Sequence, residues 1–181
     1  MRSRRADLYV RVRVHFVGTG KTPSDALGHN VLPMAGRIGV DGVVTEHPHR
    51  MPYADVLTHL HYCSAPLVIG STEPHYTPSK IFQAVQSKHP VFALLHDAST
   101  ARDVLRQSGA GTAMTLNETR LPTPEAVADE LIRFIESAPQ FDARDIDWAA
   151  FEAYSARHSA RLMAAALDAG LDKYNRRNGS K

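Results

Sequence analysis

A single cysteine, Cys63, among 181 residues excludes an intrachain disulfide framework and fits a reducing cytoplasm. Long apolar runs are lacking too: none approaches the roughly 20 residues that a membrane span needs. The opening residues MRSRRADLYVRVRV alternate in polarity, so they form no apolar signal core. This excludes a transmembrane segment and is compatible with peripheral contact at a membrane surface. An excess of charge of one sign is also missing, with 21 Lys+Arg against 19 Asp+Glu. The basic residues gather at the ends, as Arg2, Arg4 and Arg5 and again as Arg176, Arg177 and Lys181. That pattern reads as solvated tails, not as a nucleic-acid surface.

What is present is 43% apolar content, enough for a real core in one domain with an appendage. Tyr9 to Val17 alternates and then turns apolar, predicting a strand that stops at Gly18-Thr-Gly20. Ser24 to Ile38 predicts a helix broken near Pro33 and ended by Gly39. Strands follow at Gly42 to Glu46, Leu67 to Ile69, Pro90 to Leu95 and Thr112 to Leu116. Helices between them run from Tyr53 to Tyr62, Pro78 to Lys88 and about Ser99 to Gln107, the last ended by Gly109. Thr123-Pro-Glu125 opens another helix with an ordinary acidic first turn. Trp148, Phe151, Tyr154 or Ser155, His158, Leu162 and Ala165 share one face of a long final helix. The alternation predicts an α/β fold with a doubly wound parallel sheet of about five strands. Ligands of such sheets sit beyond the carboxyl ends of the strands, where Gly18–Gly20, Glu46–Tyr53 and Gly70–Lys80 all fall.

The stretch Gly70-Ser-Thr-Glu-Pro-His-Tyr-Thr-Pro-Ser-Lys80-Ile-Phe-Gln83 is the most informative. Thr77 suits an N-cap and Pro78 the first helical position, leaving the amides of Ser79, Lys80 and Ile81 free. A lysine in a first turn adds positive charge to a positive helix end. That arrangement is poor for stability and good for gripping an anion such as phosphate. Ser79, Lys80 and Gln83 form a polar stripe beside the apolar face of Ile81, Phe82, Ala84 and Val85.

Other motifs are weaker. Gly18-Thr-Gly-Lys-Thr22 is half a P-loop, but the position of the first P-loop glycine is His15, inside a strand. His47/His49 and His59/His61 are two apart and face different ways on a helix, and His59 with Cys63 lacks a third ligand nearby. No metal site is expected, and Cys63 reads as a packed small residue.

VRVHFVGTG, VVTEHPHRMPY and LVIGSTEPHYTPSKIFQAVQSKHPVFALLH together resemble the C-terminal half of a GT-B fold glycosyltransferase, similar to the retaining glycosyltransferase family 4. The likeness spans residues 10 to 116. It implies a Rossmann-like nucleotide-sugar-binding domain over residues 1–140, with residues 141–181 a helical extension and basic tail. It also implies that the donor is a UDP- or GDP-sugar and that no cofactor is needed. Gly18, Thr19, Gly70, Ser71, Ser79 and Lys80 would hold the diphosphate, with Lys80 the residue that stabilises the leaving group. Glu46, Arg50, Tyr53, Glu73, His75, Tyr76 and Gln83 would face the base, ribose and sugar. Many members carry two glutamates at the positions that here hold His75 and Gln83. The family's C-terminal half also begins with an earlier strand-helix unit, whose strand lies centrally, and an N-terminal domain supplies the acceptor. Neither stands in this chain. A non-catalytic module that binds a phosphorylated ligand, and half of a nucleotide-sugar epimerase, are the competing readings.

Overall fold

A computed structural model describes residues 3–20 and 28–178. In chain order the elements are α1 (Ala6–Tyr9), β1 (Val14–Val17), α2 (Leu32–Arg37), β2 (Val44–His47), α3 (Tyr53–Tyr62), β3 (Leu67–Ile69) and α4 (Lys80–Gln86). Then come β4 (Val91–His96), α5 (Thr100–Ser108), β5 (Gly111–Leu116), α6 (Pro124–Ser137), α7 (Trp148–Glu152) and α8 (Ala156–Asn178). The chain is thus α/β, with five parallel strands and a long C-terminal helix among the described residues.

The strands form two sheets and not one. β1 pairs with β2, Val14 opposite Val44 through Val17 opposite His47. β3, β4 and β5 form the other, in that order. β4 sits in its centre and is buried along most of its length, as expected of a parallel strand covered on both faces. On one face Val91, Ala93 and Leu95 pack with Ile81 and Val85 of α4, Val104 and Leu105 of α5 and Phe151 of α7. On the other, Phe92 meets Phe134 of α6 with ring centroids 5.2 Å apart. The core therefore belongs to the three-stranded half, and around β1 and β2 only Ala35 and Pro48 are buried apolar side chains among the described residues.

Close packing at the start of β5 selects glycine. A Cβ on Gly111 would lie 2.0 Å from the Val91 carbonyl oxygen. Gly39 and Gly109 end their helices at φ 69° and 66°, the left-handed conformation that glycine adopts without steric cost. Thr123 caps α6, its hydroxyl accepting the Ala126 amide at 3.2 Å.

Four expectations need correction. The N-terminal strand is shorter than its alternation suggests, because Tyr9 closes the short helix α1. Arg4 and Arg5 pair with Asp129 and Glu136 of α6, fixing that segment on the surface of α6. The helix expected over Ser24 to Ile38 begins only at Leu32, with Pro33 in its first turn instead of at a break; residues 24–27 lie outside the described residues. The helix expected from Pro78 starts at Lys80. The single final helix is two, because Tyr154 turns away to bond Gln107 and the Ser155 hydroxyl caps α8 through the His158 amide at 2.9 Å.

Candidate functional site

β3 delivers its chain to the rim at Gly70, whose amide donates to the Leu94 carbonyl at 2.8 Å. A Cβ there would press on that oxygen at 3.2 Å and on Leu95 at 3.4 Å, so the loop leaves close against β4. The Ser71 hydroxyl accepts the Glu73 amide at 3.1 Å, and the Tyr76 amide returns to the Glu73 carbonyl at 3.1 Å. Two further bonds tie this loop to the segment after β4. The buried Ser99 hydroxyl donates to the Tyr76 carbonyl at 3.2 Å, and the Thr77 and Thr100 hydroxyls meet at 2.9 Å. Thr77 is therefore occupied elsewhere and does not cap the helix. Pro78 is buried, and Ser79 takes the cap position without a side-chain bond.

The consequence is a cluster of free donors. Ser79 and Lys80 are exposed, and among the described residues neither amide, nor the Ser79 hydroxyl, nor the Lys80 ammonium has a bonding partner. The first turn holds no acidic residue. Glu73, His75 and Tyr76 are exposed on the same loop, and Gln83 is half-buried one turn further on. Gly70, Ser71, Glu73, His75, Tyr76, Ser79, Lys80 and Gln83 thus share one continuous segment.

The second group of expected residues stands differently. At the end of β1, Gly18 has φ 71° and donates to the His47 carbonyl at 2.8 Å, while Gly20 donates to the Pro48 carbonyl at 2.9 Å. The Thr19 hydroxyl is bound to Glu46 Oε1 at 2.6 Å. Glu46 is buried and also accepts the amides of Asn30 at 2.8 Å, Val31 at 2.9 Å and Leu32 at 2.8 Å. Burial pushes this carboxyl up, and the bonds from Thr19, Leu32, Asn30 and Val31 together outweigh it, bringing it down to about 2. The amides that open α2 already hold an anion, and that anion is the protein's own. Arg50 and Tyr53 are exposed before and at the start of α3. No hydrogen bond joins the Gly18–Tyr53 group to the Gly70–Gln83 group among the described residues.

A third cluster at the rim was not legible beforehand. His96 ends β4 almost fully buried. Its Nδ1 accepts the Ala98 amide at 3.0 Å, which leaves Nε2 to donate to Glu118 Oε2 at 3.4 Å. Asp97 accepts from Asn117 Nδ2 at 2.8 Å, and its carbonyl accepts from Arg102 at 2.8 Å. The Asn117 bond, more than the neighbouring His96 and Arg120, holds the Asp97 carboxyl below its usual range. These residues brace the 97–100 segment on which the Gly70–Lys80 loop rests. The only hint in sequence was a polar His-Asp pair ending an apolar strand.

No group of three or more His, Cys, Asp and Glu side chains suits a metal ion among the described residues. Cys63 is half-buried, its thiol donating to the Leu60 carbonyl at 3.2 Å. No described helix is long and apolar enough to cross a membrane. Comparisons of the chain with protein-family models, with curated proteins and with solved structures give no match.

Proposed function

We propose that the Gly70–Gln83 segment binds the diphosphate of a nucleotide sugar, and that the chain is the donor-binding half of a glycosyltransferase. The observation that carries this reading is the set of unengaged donors at Ser79 and Lys80, just beyond the end of a parallel strand. Two consecutive amides, a hydroxyl and an ammonium match the oxygens of a diphosphate, and a lysine acts there as a point charge. As a glycosidic bond to the diphosphate breaks, negative charge grows on the leaving group, and donors already in place stabilise it.

The strand arrangement supports a Rossmann-like reading of the two sheets. The resemblance puts a further strand centrally in the sheet, and among the described strands β1 pairs only with β2 and β3 only with β4. The sugar would then lie toward Glu73, His75, Tyr76 and Gln83, whose amide can bond a hydroxyl. Arg50 and Tyr53 would face the base. Thr19 and Glu46 act through the loop they hold, since each satisfies the other.

Calorimetry with UDP, GDP and ADP, and with uridine as the phosphate-free control, tests this. All three diphosphates should bind and uridine should not. Equal binding of uridine and UDP, or no binding of any diphosphate, would contradict the proposal.

A further inference from the structure

Helix α8 runs for 23 residues and buries none of them. Met163, Leu167, Leu171 and Tyr174 remain 59–67% exposed. At about 100° per residue these four fall, with Ala156, Ala160 and Ala164, in a single stripe about 100° wide. Along one border of the stripe lie Arg157, Arg161, Asp168 and Asp172, all within about 60° of one another. In a lone helix this row is unfavourable. Arg157 and Arg161 are like charges at i and i+4, and so are Asp168 and Asp172. No ion pair relieves Arg157, Asp168 or Asp172 among the described residues, and Arg161 reaches only Glu152 at 3.5 Å.

We propose that α8 is an antiparallel pairing surface for a second copy of this chain. When two such helices run antiparallel about a two-fold axis between Ala164 and Ala165, Arg157 faces Asp172 of the second copy. Arg161 then faces Asp168 of the second copy, and each pair occurs twice. Both repulsive like-charge pairs become attractive opposite-charge pairs. The same register brings Ala156 within one residue of Tyr174, Met163 within one residue of Leu167 and Ala160 within two of Leu171, so small residues lie near large ones in the outer layers. This register satisfies the charges and keeps the two apolar stripes in contact along their length, as a self-complementary contact about a two-fold requires. It also brings Tyr174 of the second copy beside Ala156. That residue lines a cavity of about 330 Å³ with the rings of Phe82, Trp148, Phe151 and Tyr154, a setting that suits a fifth ring.

Light scattering and sedimentation of the full chain test the proposal. The wild-type chain should self-associate to twice its 19.9 kDa mass. Arg157→Asp/Arg161→Asp gives an all-acidic row and Asp168→Arg/Asp172→Arg an all-basic row. Each alone should weaken association at least tenfold, and an equimolar mixture of the two should restore it. The four-fold swap within one chain should restore it as well. A monomeric wild-type chain, variants that associate as tightly as wild type, or a mixture that stays monomeric would each overturn the assignment.

Discussion

The Thr19 hydroxyl donates to Glu46 Oε1 at 2.6 Å and ties the turn after β1 to the neighbouring strand β2. The carboxylate's other partners, the amides of Asn30, Val31 and Leu32, open α2. One buried side chain thereby assembles three elements that have almost no apolar core of their own.

Glu46→Gln should therefore destabilise the protein by about 1–3 kcal/mol, because the amide nitrogen turns a donor toward donors already in place. The pH dependence has a definite sign. The folded carboxyl lies near 2, against an ordinary 4.5, so its contribution is complete above the ordinary value and fades as pH falls from 4.5 toward 2. Chemical denaturation across that range should show wild type losing stability faster than Glu46→Gln. Parallel pH profiles would contradict the assignment.

Gly111→Ala is expected to be among the most damaging single changes in the three-stranded half. Its Cβ would meet backbone atoms of Val91 at 2.0, 2.7 and 2.8 Å, and a backbone neighbour cannot swing aside. A loss of about 3 kcal/mol or more belongs to such a clash. Gly36→Ala, where nothing beyond the adjoining backbone of its own helix lies within 4 Å of the new methyl group, is the matched control. It should leave the denaturation midpoint unchanged or slightly raised.

Asn117→Ala removes the bond that most lowers the Asp97 carboxyl. The Asp97 titration, followed by NMR, should move upward toward the ordinary 3.8. Because a depressed carboxyl stabilises the fold above its unfolded value, the variant should also lose some of the stability that wild type keeps at neutral pH. An unmoved titration would show that His96 and Arg120 carry the effect instead.

Local chemistry made several elements legible in the sequence, and tertiary contacts hid others. The Thr123-Pro124 start of α6 and the left-handed Gly109 after α5 follow from backbone preferences that act within one turn. Thr77-Pro78 offered the same signal and failed, because Thr77 had a better partner in Thr100. The V-R-V-R alternation near the start suggested a strand, yet Arg4 and Arg5 find carboxylates on α6 that no local pattern could announce. Ser155 counted only as part of the face of one long final helix, and its capping of α8 is what divides that run in two. At the candidate site the Gly70–Lys80 loop stood out through its misplaced lysine. The commitment of Glu46 to three amides more than ten residues away depended on how β2 and α2 fold together. The His96–Glu118 contact likewise arises only when β4 and β5 are side by side.

The most direct test of the central claim is calorimetric titration of UDP and GDP into Lys80→Ala and Lys88→Ala. Both lysines are exposed, and they stand at opposite ends of α4, Lys88 at φ 63° beyond its last turn. Lys80→Ala should weaken diphosphate binding at least tenfold, a loss of about 1.4 kcal/mol or more, while Lys88→Ala should bind as wild type does. Equal effects of the two substitutions, or none from Lys80→Ala, would contradict the diphosphate site.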